Sequence, residues 1–271
     1  MSALERPVEA ITDRSPPATV VTLFAFARAD DMVRAPPLER EGLLLHRAGQ
    51  VAAVAGLVPA EDYCGAAAAE HLADAAWLAP RVRQHAELVS WTMTWSAVFP
   101  VPFGTLYSSL AGLSAFVHAH EATIMRFLET TAGKQEWELQ AKASLADPGV
   151  LDELARDAWP GWQELPKGTR YMRICRDRAK LHELGRAKAL EMARGAVGTI
   201  QALTTDMHEA RRGRDSGGNE LVARWALLVP TENIQTLQAR THALNGCAPN
   251  QLLNLSLSGP WPPFSFRPDL R

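Results

Sequence analysis

The sequence has few of the residues and patterns on which specialised sites are built. Its three cysteines, Cys64, Cys175 and Cys247, form neither a CxxC pair nor a zinc spacing, so we expect thiols of a reducing compartment. No apolar run reaches the roughly 18 residues that a membrane-spanning helix needs. The acids and prolines near the start do not fit a signal peptide. These absences predict a soluble, cytoplasmic protein.

Motifs for catalysis, phosphate binding and metal binding are also lacking. There is no GxSxG elbow, and Gly217-Gly218 is not followed by Lys-Ser/Thr. His118 and His120 stand two positions apart on a predicted helix, so their side chains diverge by about 200°. A zinc pair on a helix needs positions i and i+4. We therefore predict no catalytic, cofactor or metal site, and interpret His120 as a hydrogen-bonded histidine at the core edge.

The charge balance gives little support to a nucleic-acid binder, because 28 basic residues face 30 acidic ones and the formal net charge is −2. Between Lys167 and Arg194, however, nine basic residues stand against three acidic ones. The favoured interpretation is a solvated helix face paired with acids elsewhere in the fold. The alternative is a docking surface, for which an acidic protein ranks ahead of nucleic acid because Tyr171 is the only aromatic residue there.

The first half of the chain alternates predicted strands and helices. Thr19–Ala27 is β-branched and aromatic, which is typical of a buried strand, and Ala48-Gly49 separates the two strands of a predicted hairpin. A helix is predicted to begin at Pro80 and to end before Pro100-Val101-Pro102, with His85 at the core border. Its predicted apolar stripe comprises Val82, Ala86, Val89, Met93 and Ala97. The next helix is predicted from Ser109 to Thr131, with Gly133 as its stop.

The second half begins with a period-2 pattern over Glu136–Ala143, which predicts a half-buried strand with Trp137 on the inner side. A short helix is predicted after Asp147-Pro148, and one long helical region from Arg176 to Arg212. Further predictions are a central strand over Leu221–Val229, a helix capped by Thr231, and a one-sided strand at Leu253–Leu257.

These patterns predict the α+β class with two α+β domains. We expect a flexible tail over residues 1–18, an N-terminal domain over 19–133, a C-terminal domain over 134–258 and a C-terminal arm over 259–271. Gly133 marks the predicted boundary, and Pro102, Phe103, Gly104 and Thr105 are expected to shape an interdomain turn.

The most unusual stretch is Gly259-Pro260-Trp261-Pro262-Pro263-Phe264. Its three prolines lack backbone donors, so we expect the segment to leave the preceding strand as a stiff, extended arm. Trp261, Phe264 and Phe266 are large apolar groups that must either pack on the protein's own body, which is the favoured interpretation, or dock on a partner.

Several blocks of the sequence resemble the gas vesicle protein GvpL/GvpF family. The ending GPWPPFSF is similar to the family's GPWPPYSF signature, with Phe264 in place of tyrosine. His85 precedes Pro100-Val101-Pro102-Phe103-Gly104-Thr105, which is similar to PLRFGT, and Glu136-Trp137 resembles the EW at the start of a family strand. The resemblance covers residues 20 to 266.

The resemblance implies an accessory protein that takes part in gas vesicle assembly and is not an enzyme. It implies a cytoplasmic protein associated with gas vesicles, whose partners are the small hydrophobic shell subunit and other accessory proteins, with neither nucleic acid nor membrane. A minor structural component retained in the finished shell is the alternative. The resemblance also implies a modified ferredoxin-like fold for the second domain, and it marks the quoted blocks as structural or partner-binding.

Overall fold

A computed structural model describes residues 19–210, 220–247 and 252–270 and shows a mixed fold with two antiparallel sheets. The predicted tail over residues 1–18, the basic residues Arg211 and Arg212 and the loop predicted over residues 214–218 lie outside the described residues. The elements of the first half are β1 Thr19–Arg28, α1 Ala29–Met32, β2 Leu43–Ala48, β3 Val51–Pro59, α2 Ala60–Tyr63, α3 Gly65–Ala73, α4 Ala75–Trp95, β4 Val98–Pro100, β5 Leu106–Tyr107 and α5 Leu110–Thr131.

The first sheet has the strand order β2-β3-β1-β4, and β5 also pairs with β1. Its central strand β1 is almost continuously apolar because both faces of the sheet are covered. Leu23 and Phe26 face the core shared with α5, whereas Phe24 faces the core shared with α4. The predicted strand and the predicted hairpin are thus both present.

Helix α4 differs from the prediction at both ends and in its buried face. It begins at Ala75, where the carboxylate of Asp74 accepts the Ala76 N–H at 2.9 Å, and runs through Pro80. It ends at Trp95, before β4. Of the predicted apolar stripe only Val89 is fully buried; the buried face also holds His85, Leu88 and Thr92. Two of these are polar side chains bonded to backbone carbonyls, which lets them enter the core.

Helix α5 matches its prediction. The Ser109 hydroxyl accepts the Gly112 N–H at 3.1 Å and caps the first turn. Gly133 follows the helix with φ of +68°, a conformation that glycine adopts at no steric cost. Strand β6 starts directly afterwards.

The second half contributes a separate sheet. Its elements are β6 Lys134–Ala143, α6 Pro148–Ala158, α7 Lys167–Arg176, α8 Arg178–Ile200, β7 Asp206–Glu209, β8 Glu220–Pro230, α9 Ile234–Cys247 and β9 Leu253–Trp261. The strands lie in the order β7-β8-β6-β9, and each adjacent pair is antiparallel. Trp137, Leu139 and Ala141 of β6 face the core beneath α6 and α8. The ferredoxin-like detail stays a prediction, with which this strand order is compatible.

The long helical region predicted from Arg176 to Arg212 is confirmed as α8 over Arg178–Ile200 and is too long at its C-terminal end. The chain breaks at Asp177 between α7 and α8, and α8 ends at Ile200. Residues Asp206–Glu209 then form β7, a short edge strand beside β8. The division of the chain into two domains at Gly133 stays a prediction that the two separate sheets support.

Candidate functional site at the C-terminal arm

Strand β9 continues further than its prolines suggested. The expectation that Gly259 and Pro260 leave the sheet is wrong, because Trp261 still pairs with Glu136 of β6. The register shifts between Glu136 and Glu138, so that Gly259 and Pro260 both lie opposite Trp137. Strand β9 is an edge strand of the second sheet, paired with β6. Prolines are tolerated at bulges and on edge strands. The arm therefore begins after Trp261.

Only glycine fits the bulge at position 259. Gly259 has φ of +151°, in a region that L side chains rarely adopt. A Cβ there would lie 2.9 Å from Cδ2 of Trp137 and 3.1 Å from the carbonyl oxygen of Glu136. The Glu136-Trp137 block and the GPWPP block are thus packed directly against each other.

A buried carboxylate fixes the arm after the bulge. The backbone N–H of Ser265 donates to Oε2 of Glu136 at 2.9 Å, and the Ser265 hydroxyl donates to Oε1 at 2.7 Å, across 129 positions of sequence. Burial raises the pKa of Glu136, although both hydrogen bonds from Ser265 oppose this shift. We refer to this pair as the Glu136–Ser265 clasp.

Between Trp261 and Phe264 the chain buries its two prolines and leaves both aromatic side chains partly exposed. Pro262 and Pro263 are buried, whereas Trp261 is 51% exposed and Phe264 is 42% exposed. The favoured interpretation, in which the aromatic side chains of the arm pack on the protein's own body, is confirmed for Phe266 and holds only in part for Trp261 and Phe264. The arm is held by its prolines, by the clasp and by Phe266, whose ring centroid lies 4.6 Å from that of His208.

The end of the arm reaches the other half of the molecule. Phe266 and Leu270 pack against the core between the first sheet and α5. Residues of both halves also line an open groove of about 570 Å³, among them Met93 and Trp95 of the first half and Pro260 and Pro263 of the second. The arm therefore connects the second sheet to the first-half core along one wall of a groove.

The block around Phe103 has a different place from the one predicted. It joins β4 to β5, and both of these strands pair with β1, so the expected interdomain turn is wrong. Pro100 pairs with Ala25, and Gly104 has φ of +83°. Thr105 donates its hydroxyl to the Pro102 carbonyl at 2.8 Å, which closes the turn.

His85 holds this turn against the sheet. Its Nε2 lies 2.8 Å from the Val101 carbonyl oxygen, and because a carbonyl only accepts, Nε2 carries the proton. The imidazole contacts the rings of Phe24 and Phe103, with centroid distances of 5.5 and 5.7 Å. Burial lowers the pKa of His85, against the hydrogen bond to Val101. His85 therefore acts as a neutral structural histidine.

His118, His120 and the basic stretch occupy ordinary surface positions. His118 is exposed, and His120 lies 4.5 Å from the Phe116 ring. Within the described ranges, no three His, Cys, Asp or Glu side chains are placed to hold a metal ion. The predicted pairing of basic residues with distant acids is confirmed for Arg170 with Asp152, for Arg186 with Glu220 and for Lys188 with Asp157.

Comparisons with known proteins decide the family. A model of the family "Gas vesicle synthesis protein GvpL/GvpF" matches residues 21–268. The chain belongs to the GvpL/GvpF family. Gas vesicle protein L from Streptomyces sp. (strain CB03234) is 28% identical over 231 residues, covering 82% of both chains.

Solved structures of GvpF proteins share the fold of this GvpL/GvpF family member. The crystal structure of GvpF from Anabaena sp. PCC7120 matches with a TM-score of 0.62 at 12% identity, covering 93% of this chain and 99% of that one. GvpF from Microcystis aeruginosa matches with a TM-score of 0.58 at 11% identity, covering 91% and 98%. In the part of the present chain that the structure describes, no helix has the length and hydrophobicity needed to cross a membrane.

Sequence reasoning missed the partners of the family blocks. Neither Ser265 nor His208 stands out in the sequence, although Ser265 binds Glu136 and the His208 ring packs on Phe266. The signal that could have found the clasp was the joint presence of the EW block and the GPWPPFSF block. No spacing rule connects two blocks that lie 129 positions apart.

Proposed function

We propose that this chain takes part in gas vesicle assembly by binding an apolar segment of the small hydrophobic shell subunit at Trp261 and Phe264. We call these two side chains the aromatic pair. The role is that of a binding protein rather than an enzyme, exercised in the cytoplasm at growing gas vesicles together with other accessory proteins. The carrying observation is that two large aromatic side chains are half exposed on a backbone that is itself fixed.

The backbone of the arm favours binding because it is ordered in advance. Two buried prolines restrict φ between Trp261 and Phe264, and the clasp fixes the next residue. A partner that docks on the aromatic pair therefore loses less conformational entropy than one that must order a loop. Aromatic side chains presented in this way are the usual energetic centres of protein interfaces.

The groove beside the arm supports the same proposal. Met93, Trp95, Pro260 and Pro263 give its walls apolar surface, and Trp95 is exposed. A shell subunit must hide apolar surface from water before it is incorporated. The apolar walls of this groove offer a place for such surface beside polar lining residues such as Lys134 and Gln135. The TM-scores and the family match establish the fold and the family, and the assembly role rests on these surface features.

The test uses the full chain co-expressed with the small shell subunit. The double variant Trp261→Ser/Phe264→Ser is expected to reduce the amount of co-purified subunit at least ten-fold. Trp261 is half exposed, so its removal alone costs about 2 kcal/mol of stability and leaves the protein folded. The control is Val82→Ser/Leu184→Ser, which removes two comparably exposed apolar side chains elsewhere and should retain binding.

Capture of the subunit at wild-type levels by a folded Trp261→Ser/Phe264→Ser variant contradicts the proposal. Thermal denaturation of the purified variants shows whether each is folded. The alternative, a component retained in the finished shell, is separated by immunoblotting purified, salt-washed vesicles. A transient assembly factor is washed away, whereas a retained component stays at a constant ratio to the shell subunit.

A further inference from the structure

We propose that β2 binds an extended segment of another protein as an added antiparallel strand, and that a large apolar side chain of this segment fills a cavity beside Leu43. The segment is uncharged and carries apolar side chains at alternate positions. The inference goes beyond the proposed function and does not involve the aromatic pair. It rests on two observations, an open sheet edge and an apolar cavity next to that edge.

The hydrogen bonds around β2 show which of its backbone groups point away from β3. The Leu57 N–H donates to the Gly42 carbonyl at 2.8 Å, directly before the first residue of β2. Residues of an antiparallel pair alternate between bonding to the neighbouring strand and pointing away from it. Counting from Gly42, the residues of β2 that direct their N–H and C=O groups to the open edge are Leu43, Leu45 and Arg47.

Most of these groups have no hydrogen-bond partner in the part of the chain that the structure describes. The Leu43 N–H donates to the Arg40 carbonyl at 3.2 Å. Among the described residues, none bonds to the N–H or C=O groups of Leu45 and Arg47. Both residues are also exposed, Leu45 to 36%. A row of unpaired backbone donors and acceptors is complementary to an extended backbone.

The other sheet edges in the described ranges are closed or short. On β9 the Asn245 side-chain amide pairs with both backbone groups of Leu255 at 2.8 Å, and Pro260 has no donor. Strand β7 has four residues, and the Asp206 carboxylate accepts the Met207 N–H at 2.8 Å. Strand β4 has three residues. In contrast, β2 has six residues, no proline and an unshifted register with β3. Because proteins usually protect edge strands, an open one of this kind indicates a site for another strand.

An apolar cavity of about 340 Å³ lies beside this edge. Arg40 and Glu87 line it and are paired with each other at 3.3 Å, and Glu39 is exposed at its rim. Arg40 accepts the N–H that Leu43 directs away from β3, so the cavity lies on the open side of β2. The remaining lining side chains are apolar and belong to Pro36, Pro37, Leu38, Leu43, Leu88 and Trp91.

The cavity lies on the face of β2 that would orient the side chains of an added strand. Leu43 and Leu45 are two positions apart and share this face, and Leu43 packs on the core beneath α4. On an added strand, a side chain opposite Leu43 or Leu45 lies about 5 Å further out on the same face, beside the cavity. Free backbone groups next to a pocket for alternate side chains are the arrangement by which proteins bind peptides as extra strands.

A second copy of this chain is a poorer occupant than a segment of another protein. Two antiparallel registers with two-fold symmetry use the free groups of Leu45. One places Leu45 opposite Leu45 of the second copy, and Arg47 of that copy then lies opposite Leu43. The other places Arg47 of the second copy opposite Leu45 itself. Either register brings a guanidinium instead of an apolar side chain next to the cavity.

The test titrates the purified full chain with a fluorescent peptide in which threonine and leucine alternate. We expect saturable binding, with the leucines on the cavity face and their backbone groups directed at β2. N-methylation of the leucines removes the donors that face β2 and should weaken binding about ten-fold or more. N-methylation of the threonines alters the opposite edge of the peptide and should leave binding unchanged. This comparison uses the wild type alone and needs no variant to fold.

Substitutions at Leu45 provide the matching comparison on the protein. Leu45→Ala and Leu45→Pro both remove an exposed side chain, but only proline removes the N–H at the open edge. We expect Leu45→Pro to bind the peptide about ten-fold more weakly than Leu45→Ala. Hydrogen exchange measured by NMR should show that the peptide protects the backbone amides of Leu45 and Arg47. Thermal denaturation shows whether each variant is folded.

A second pair of variants tests the cavity. Leu38→Asp places a carboxylate in its wall and should weaken binding about ten-fold or more. The matched control Leu184→Asp changes an exposed leucine on α8 and should bind as the wild type does. Trp261→Ser/Phe264→Ser should also bind the peptide normally, which separates this site from that of the proposed function.

The proposal is overturned if the wild type shows no saturable binding or binds the two N-methylated peptides equally well. Equal binding by folded Leu45→Pro and Leu45→Ala would also overturn it, and so would loss of binding in Trp261→Ser/Phe264→Ser. A further contrary result is a wild-type dimer, detected by light scattering, that Leu45→Pro dissociates while the peptide does not bind. That result would assign the edge of β2 to a second copy.

Discussion

Replacing Gly259 with alanine tests whether the bulge in β9 holds the arm in place. The new Cβ would lie 2.9 Å from Cδ2 and 3.1 Å from Cε3 of Trp137, and Trp137 is itself buried in the second core. Overpacking of this kind costs about 1–3 kcal/mol. The backbone conformation at φ of +151° adds about 1–3 kcal/mol for an L side chain. We therefore expect a total loss of about 2–6 kcal/mol.

The matched control for this substitution is Gly133→Ala. Gly133 also has a positive φ, +68°, but a Cβ added there would have no neighbouring atom within 4 Å, so only the backbone cost applies. Urea unfolding gives both free energies, and the expected difference between the two variants is at least about 1 kcal/mol. In a chain of this size each kcal/mol lowers the melting temperature by about 2–4 °C.

Equal destabilisation by the two substitutions would refute the packing argument. A second measurement isolates the contact itself. In a double-mutant cycle with Trp137→Leu, the smaller side chain should relieve the Gly259→Ala clash and give a coupling energy of about 1 kcal/mol or more. Additive effects would mean that the alanine Cβ and the indole do not meet.

Two further predictions concern buried titratable groups. Burial raises the pKa of Glu136, so its charged form is destabilising, and the wild type should lose stability as the pH rises from about 4.5 through the higher folded value. Glu136→Gln keeps an acceptor for Ser265 and should not lose stability over this pH range. Urea unfolding of both proteins between pH 4 and 8 measures the difference, and parallel pH profiles of the two would contradict the prediction. His85→Ala should cost about 3 kcal/mol at pH 8, because it leaves the Val101 carbonyl unpaired and opens a cavity. Burial lowers the pKa of His85, so the wild type loses stability as the pH falls below about 6.5, and this deficit should shrink at pH 5. A deficit that is independent of pH would contradict the assignment of a neutral imidazole.

The parts of the fold that follow from local patterns were predictable. The apolar run of β1, the alternation of β6 and the cap and stop of α5 are set by residues next to one another. The buried face of α4 could not be predicted in this way. It contains His85 and Thr92, which are buried because they bond to backbone carbonyls, and no period of hydrophobic residues encodes such bonds. Strand β7 was missed for a related reason: its four residues, DMHE, lack a buried side chain, and pairing with β8 defines the strand.

The candidate site was predictable in its residues but not in its arrangement. The sequence marked Glu136 and the GPWPP block without relating them, because their relation depends on the register between β6 and β9. Proline is expected to end a strand because it cannot donate a hydrogen bond to the neighbouring strand. This expectation failed at Pro260 because the residue lies in a bulge, where no such bond is needed. The exposure of Trp261 depends on the direction that the backbone takes after the bulge, which the sequence does not specify.

The contact of Phe266 and Leu270 with the first-half core bears on how the chain is made. The ribosome completes every other element of that core long before these two residues appear. At about 5–20 residues per second, synthesis of the intervening segment takes on the order of ten seconds. During that time the apolar patch of the first half that Phe266 and Leu270 contact is uncovered. The same patch is uncovered whenever the arm detaches, so detachment of the arm and release of a partner held by Trp261 would expose apolar surface at two places at once.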